Sequence, residues 1–250
     1  MQITAKITYL YHSGFALSWA DRMVVFDYYM DAPDSGRRII QNGILGGRDF
    51  VGKRGLVLVS HAHGDHFNPC IFKWRESGQS IRYVLSSDIK LPQQAYFISP
   101  GEEITVEDLR VRAFGSTDAG VSYLLEGDGL SVFFAGDFNL WHWQEEAEPS
   151  EVMHAKRAFL REIKTMKERF PPLDIAFFPC DPRMKRGYWA GAAYFARMFK
   201  PRLLIPMHFG YEYDAQDELI AQLAPLAEET RVARIGRRGQ EIIYKKEGFG

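Results

Sequence analysis

Residues 55–66 read Gly-Leu-Val-Leu-Val-Ser-His-Ala-His-Gly-Asp-His, an apolar run followed at once by three histidines and an aspartate. The run 55–60 is typical of a β-strand that is buried on both faces. The chain has seven histidines, and His61, His63 and His66 are three of them. A chain of this composition contains this spacing by chance roughly 3 times in 10,000. The segment therefore predicts a functional loop that a buried strand anchors.

The side chains of this loop are of the types that bind metal ions. Imidazole nitrogens and carboxylate oxygens are the ligands that zinc and similar ions prefer. His61 and His63 are two residues apart, so in an extended segment they point the same way. Asp65 and His66 follow Gly64, at which the chain can turn sharply. One loop could thus present two pairs of ligands to two neighbouring ions, whereas the alternative is a polar loop or a pair of capping histidines.

Two further ionisable residues stand at the ends of predicted strands. Asp137 follows a strand predicted over 130–135, and His208 follows one predicted over 202–206. Taken alone, Asp137 would more often be a turn or cap residue, and His208 a hydrogen-bonded core histidine. Alongside the histidine cluster, we expect both to be metal ligands.

Short β-rich runs alternate with amphipathic segments along the chain, without an internal repeat or a linker. Strands are predicted over residues 3–9, 15–19, 23–27, 55–60, 82–86, 103–106, 109–114, 121–126, 130–135, 174–179, 202–206, 231–235 and 241–244. Helices are predicted over residues 68–77, 151–170, 188–199 and 214–229. The pattern predicts one α+β domain over residues 1–250, in which two mixed sheets pack face to face with helices outside.

The composition argues against several classes of protein. The chain has 250 residues, of which 46% are hydrophobic and 25% charged, which is typical of a globular domain. Its net charge of −1 does not indicate a surface built for nucleic acid. No apolar run suits a membrane span, no signal peptide is visible, and Cys70 and Cys180 cannot form a disulfide framework. We expect a cytoplasmic protein with a small-molecule substrate, and leave its oligomeric state open.

The histidine cluster, the Gly-Asp strand end at Asp137 and the late histidine His208 resemble the metallo-β-lactamase superfamily. Asp27 is similar to the early aspartate of that family. Within the superfamily, the chain most resembles the metal-dependent hydrolases related to L-ascorbate-6-phosphate lactonase. The stretches that carry this resemblance are 115–118, 135–143 and 205–209.

The resemblance implies an αββα sandwich with a dinuclear site, usually of zinc, although manganese or iron is also compatible. The implied ligands are His61 and His63 on one ion, Asp65, His66 and His208 on the other, and Asp137 between the two. A metal-bound water or hydroxide would be the nucleophile, and Asp65 or Asp137 would take or relay its proton. The expected substrate is a small lactone or phosphoester. The alternatives are a nuclease or phosphodiesterase acting on nucleic acid, and a degenerate metal-binding protein without activity.

One histidine of the family pattern is missing. Most superfamily members have a further ligand histidine on a loop before the bridging aspartate, but residues 113–118 contain none. Asp118 could replace it as an oxygen ligand or orient a ligand histidine. His142, shortly after Asp137, could supply the ligand instead, or the first site could be weak. The missing histidine is also the only support for a protein without activity.

Three other features concern the substrate or the metal. Trp141 and Trp143 could line a pocket for an apolar or ring-shaped substrate, or could pack beneath a loop. Arg183 begins a basic cluster that could hold a phosphate or carboxylate, although such runs are more often solvated. His12 lies in a predicted turn, where we expect a hydrogen-bonded histidine rather than a ligand.

Overall fold

A computed structural model describes residues 2–91 and 94–247 of the chain. Its contacts define two compact units. The first unit comprises the described residues of 2–98, 106–108 and 235–247, and the second comprises 99–105 and 109–234. A single domain over 1–250 stays a prediction, and its residues 1, 92–93 and 248–250 lie outside the described residues. None of the helices in the described part combines the length and apolarity that crossing a membrane requires.

The regular elements follow the predicted order closely. The strands are β1 Ile3–Tyr11, β2 Gly14–Trp19, β3 Arg22–Phe26, β4 Arg54–Val59, β5 Ile81–Ser86, β6 Tyr96–Ile98, β7 Glu103–Val106, β8 Leu109–Gly115, β9 Val121–Gly127, β10 Leu130–Phe134, β11 Ile175–Pro179, β12 Leu203–Met207, β13 Arg231–Val232 and β14 Glu241–Lys246. The α-helices are α1 Pro149–Lys167, α2 Ala190–Phe199 and α3 Ala215–Leu223. Short 3-10 segments occupy Ile40–Asn42, Gly47–Phe50, Pro69–Ser77, Pro182–Met184 and Ala224–Leu226.

The first unit is built on a seven-stranded mixed sheet in the order β14-β1-β2-β3-β4-β5-β6. Strand β4 pairs in parallel with β3 and β5, and its residues from Gly55 to Val59 are all buried. This central position explains why the run 55–60 is continuously apolar rather than alternating. The segment predicted as a helix over 68–77 is a 3-10 helix, whose cap is the side chain of Asn68, accepting from the Cys70 N–H at 2.9 Å.

The second unit contains a seven-stranded mixed sheet in the order β13-β12-β11-β10-β9-β8-β7. Strands β10, β11 and β12 are parallel, so their carboxyl ends lie at one edge of the sheet. Asp128 and Gly129 join β9 to β10 with left-handed backbones (φ 46° and 77°), as a tight hairpin turn requires. Phe133 of the sheet stacks on Phe195 of α2, with the ring centroids 4.9 Å apart.

The differences from the sequence predictions are local. The helix predicted over 214–229 is α-helical only as far as Leu223 and continues as a short 3-10 segment. It changes there because Pro225 has no N–H to donate to the next backbone hydrogen bond. The strand predicted over 231–235 is only two residues long. Strand β6 was not predicted, since its three residues include the exposed side chains of Tyr96 and Phe97 and show no alternation.

Candidate metal centre

Asp27 and the histidine loop, which we define as residues 60–67, follow adjacent parallel strands. Asp27 comes directly after β3, and the loop comes directly after β4. The Asp27 N–H donates to the Leu58 carbonyl at 3.0 Å, and Asp27 has a left-handed backbone (φ 41°). The strand ends therefore bring the early aspartate and the histidines to one edge of the first sheet.

The Asp27 carboxylate orients two of the histidines. Its Oδ2 accepts from Nδ1 of His66 at 2.6 Å and from the Ser60 hydroxyl at 2.6 Å. The Ser60 oxygen lies 2.9 Å from Nδ1 of His61. Because the serine hydroxyl donates to Asp27, its oxygen accepts from the His61 Nδ1–H. Both imidazoles thus carry their proton on Nδ1 and keep Nε2 as the donor atom for a metal ion.

The histidine loop makes its turn without a strained glycine. His61 and His63 stand edge to face, with ring centroids 4.6 Å apart. The His63 carbonyl accepts from the N–H groups of His66 (3.1 Å) and Phe67 (3.0 Å), and these bonds close the turn. Gly64 has no positive φ, and an added Cβ would meet nothing within 4 Å. The turn is therefore fixed by hydrogen bonds rather than by the conformational freedom expected of Gly64.

His12 lies close to the ligand atoms of the histidine loop, a position that the sequence did not predict. One ligand atom from each of His12, Asp65 and His66 lies within 4.8 Å of the other two. The expected turn is present, because His12 has a φ of 55° and its N–H donates to the Tyr9 hydroxyl at 2.8 Å. However, Nε2 of His12 lies 3.6 Å from Oδ2 of Asp65. The His12 imidazole, opposed by burial, holds the pKa of Asp65 well below its usual range.

In the second unit, Asp137 and His208 face each other. Oδ1 of Asp137 lies 3.1 Å from Nε2 of His208, and both side chains are buried. They follow β10 and β12, and Asp181 follows β11 between them. The Asp181 carboxylate accepts from Nδ1 of His208 at 3.0 Å, which again directs Nε2 toward a ligand position. The carboxyl ends of three parallel strands thus supply this cluster.

Asp181 is a site residue that the sequence analysis missed. Burial raises its pKa, but the hydrogen bonds from His208 and Arg183 outweigh this effect and hold the pKa at about 2. Arg183 donates from Nε to both carboxylate oxygens at 3.0 Å and from an amino nitrogen at 2.6 Å. The sequence did contain an indication, because Asp181 follows a predicted buried strand just as Asp137 does.

The structure distinguishes Asp118 from His142, the two residues considered as replacements for the missing histidine ligand. A carboxylate oxygen of Asp118 lies within 4.8 Å of one of Asp137. His142 instead directs Nε2 at the Gly187 carbonyl, 3.2 Å away, and burial lowers its pKa. Among the described residues, His142 belongs to none of the groups whose ligand atoms lie together. This arrangement favours Asp118.

Trp141 and Trp143 form an aromatic pair beside Asp137 and His208. Nε1 of Trp141 donates to the Asp137 carbonyl at 2.8 Å, and the Trp141 ring meets the His208 ring edge to face at 5.5 Å. Trp143 stacks on Trp141 with an interplanar angle of 16°. Both indoles are partly exposed. Trp141 therefore combines contact with Asp137 and His208 and access to solvent, and Trp143 extends this aromatic surface.

These sheets and clusters define a class of protein. Residues 6–208 match the model of a family described as the beta-lactamase superfamily domain. The chain belongs to this family, as predicted, and its α+β fold is confirmed. The lactonase-like branch and zinc stay predictions.

Relatives and solved structures agree with this assignment. The chain is 21% identical over 218 residues to a UPF0173 metal-dependent hydrolase of Thermococcus onnurineus (strain NA1), covering 82% of this chain and 84% of the relative. It is 26% identical over 227 residues to one of Nitratidesulfovibrio vulgaris (strain DP4), covering 82% and 80%. Igni18, a metallo hydrolase from Ignicoccus hospitalis KIN4/I, superposes with a TM-score of 0.67 at 15% identity, over 98% of this chain and 100% of that one. The metallo-beta-lactamase fold protein YhfI from Bacillus subtilis gives 0.61 at 13% identity, over 98% and 100%. The predicted enzyme class, a metal-dependent hydrolase of the metallo-β-lactamase type, is thus confirmed by the family and by the relatives' names.

Proposed function

We propose that this metal-dependent hydrolase binds its ions through the histidine loop together with Asp137 and His208. One observation carries the proposal: three buried imidazoles are each held at Nδ1 by an oxygen acceptor. Asp27 holds His66 directly and His61 through Ser60, and Asp181 holds His208. Metal-binding histidines characteristically donate their second N–H in this way, which fixes the tautomer and the orientation of the ring.

The proposed ligand assignment follows the family resemblance. The proposed ligands are His61 and His63 for one ion, Asp65, His66 and His208 for the other, and Asp137 for both. Asp118 takes the place of the missing histidine, since its carboxylate approaches that of Asp137. His12 holds Asp65 in position. Nitrogen and carboxylate ligands in this number suit zinc, manganese or iron.

The chemistry of the site suits the cleavage of a lactone or phosphoester. When bound, such ions lower the pKa of a water molecule and stabilise the negative charge that develops on the attacked group. The carboxylate oxygens of Asp65 or Asp137 accept the proton that is released. Trp141 and Trp143 contact the ring or apolar part of the substrate. Arg183, whose side chain is 56% exposed while paired with Asp181, attracts a substrate carboxylate or phosphate.

Metal analysis and a substrate screen test this proposal. The purified chain, loaded with zinc or manganese, is expected to retain at least one ion and to hydrolyse a member of a lactone and phosphoester panel. His61→Ala and Asp137→Ala should lose both metal and activity. His154→Ala is the matched control, because His154 is exposed on α1. A metal content near zero after loading would overturn the proposal.

The same screen, extended to single-stranded RNA and DNA, tests the alternatives. Bound metal without hydrolysis of any lactone or phosphoester would point to a different substrate class. Cleavage of single-stranded nucleic acid with steep salt dependence would support the nuclease alternative.

A further inference from the structure

A cavity of about 590 Å³ lies within the first unit, and no proposed metal ligand lines it. Small-molecule sites in proteins usually have volumes of roughly 300–1,000 Å³. The lining residues that matter here are Arg38, Gly46, Gly47, Arg48, Lys73 and Trp74. The cavity therefore has the size of a ligand site and both charged and aromatic walls.

One wall of the cavity is fixed by hydrogen bonds. Arg38 donates to the carboxylate and the carbonyl of Asp31, each at 2.6 Å. The Tyr28 hydroxyl donates to Asp31 at 2.8 Å and accepts from the Leu45 N–H at 3.2 Å. These bonds tie both ends of the wall together, so its shape does not depend on a ligand.

The buried guanidinium of Arg238 holds the same segment from behind. It donates to the carbonyls of Met30 at 2.7 Å, Ala32 at 2.6 Å and Gly43 at 3.3 Å. Gly43 has a φ of 73°, and an added Cβ would come within 2.5 Å of the Arg238 side chain. The wall is therefore packed as well as hydrogen-bonded.

The floor of the cavity is aromatic and closely packed. Trp74 is 5% exposed and contacts the rings of Tyr28 and Phe50, with centroids 5.0 and 5.5 Å away. At Gly47, an added Cβ would lie 2.6 Å from the Trp74 carbonyl. Gly46, in contrast, has an extended backbone (φ −141°), and an added Cβ would meet only Asp49, at 4.0 Å. Gly46 is thus a position from which a larger side chain could fill the cavity.

The charges that line the cavity leave positive charge available. Asp31 is engaged by Arg38 and Tyr28, and the Asp49 carboxylate accepts from the Gly46 N–H at 2.8 Å. Arg48 and Lys73 are exposed, and neither side chain makes a hydrogen bond or ion pair with residues that the structure describes. Three cationic side chains and two carboxylates line the cavity, so its net positive charge attracts a negatively charged group.

We propose that this cavity binds a small organic anion. Its carboxylate or phosphate group pairs with Arg48 and Lys73, and its apolar body lies against Trp74. None of the proposed metal ligands lines the cavity, so the anion would bind there as a second ligand, separate from the substrate.

Calorimetric titration with phenylphosphonate, which has no ester bond to cleave, and with benzoate tests the proposal, and comparison of the two distinguishes a phosphate-like ligand from a carboxylate ligand. At least one should bind with a Kd below about 1 mM, more tightly than inorganic phosphate or phenol, because both charge and ring contribute. The double variant Arg48→Glu/Lys73→Glu should weaken binding by at least about tenfold. Lys53→Glu, in the same unit but outside the cavity, is the matched control and should leave binding unchanged.

Gly46→Phe provides a second variant, expected to abolish binding by filling the cavity without changing the surface charge. If neither probe binds, or if binding survives both the double variant and Gly46→Phe, the proposal is wrong. Binding that persists in these variants but disappears on metal removal would place the probe at the metal centre instead.

Discussion

Nδ1 of His66 lies 2.6 Å from Oδ2 of Asp27, and both side chains are completely buried. A buried carboxylate is costly unless its oxygens are satisfied, and here Ser60 and His66 satisfy them. A ring held at Nδ1 can neither rotate nor change its tautomer without breaking this bond. Asp27 is therefore a positioning residue that prepares Nε2 of His66 for a ligand.

Replacing Asp27 with asparagine should weaken metal binding by roughly 10- to 100-fold, which is the usual cost of losing such an outer partner. The amide keeps the shape but removes the charge that holds the His66 Nδ1 proton. Competition with a chromophoric chelator measures the affinity. Asp108→Asn is the control, since this carboxylate of the same unit is 85% exposed. Equal affinities in Asp27→Asn and the wild type would show that the pair has no role in metal binding.

Ser60→Ala should have a smaller effect than Asp27→Asn. The hydroxyl links Asp27 to His61, so its removal leaves the Nδ1–H of His61 without this acceptor while the His66 bond survives. An unsatisfied buried donor costs about 1–3 kcal/mol. We expect weaker binding of only the ion that His61 serves, visible as one altered step in a metal titration. A loss as large as that of Asp27→Asn would contradict the relay.

Metal content should rank Asp137, Asp118 and His142 of the second unit by their part in metal binding. Asp137→Ala is expected to lose the most metal, because a bridging carboxylate serves both ions, and Asp118→Ala should lose less. His142→Ala should retain the wild-type content, since its ring bonds the Gly187 carbonyl. Elemental analysis of the three variants, prepared side by side, provides the measurement. Equal metal in Asp137→Ala and the wild type would refute the bridging assignment.

Much of the fold could be predicted because the patterns that define it are local. The apolar run 55–60 indicates a central parallel strand, and Asn68 before Pro69 marks the start of a helix. Whether that helix is α or 3-10 could not be predicted, because the two differ in hydrogen-bond spacing rather than in capping residues. Strand β6 has three residues, which is too short for any periodicity to appear.

The missed parts of the site depend on contacts distant in sequence. His12 and Asp65 meet only because β1, β2, β3 and β4 are neighbours in one sheet, an order that a single sequence does not reveal. The sequence around Asp181 shows only that it follows a predicted strand over 174–179. Its partner His208 lies one strand away, so its role as the Nδ1 acceptor depends on the pairing of β11 with β12.

Both cysteines should be unreactive in the folded protein. Burial, with a smaller contribution from Asp31, raises the pKa of the Cys70 thiol to about 12. Burial also raises the pKa of Cys180, which is inaccessible to solvent. The thiolate is the reactive form, and a thiol with a pKa of 12 is ionised in only about 1 molecule in 10,000 at pH 8. Iodoacetamide at pH 8 should therefore modify both residues in urea but neither in buffer, as mass spectrometry would show. Rapid modification of Cys70 in buffer would contradict this.

The two proposed ions should be lost in sequence on acidification or mild chelation. His63 and Asp118, proposed for one ion, are exposed, whereas His66 and His208, proposed for the other, are buried. Metal binding requires neutral imidazoles, so acidification competes with both ions, and solvent protons and chelator reach the exposed ligands first. Two neighbouring ions also repel each other, which weakens the one with the poorer ligand set. We therefore expect the ion of His61 and His63 to leave first, with activity falling in the same step. Asp118→Ala should move that step to higher pH and lower chelator concentration while leaving the second step unchanged. The test follows bound metal and hydrolysis together during the titration. Release of both ions in one transition, in the wild type and in Asp118→Ala alike, would contradict the prediction. It would show that the two sites are equivalent and that Asp118 is not a ligand.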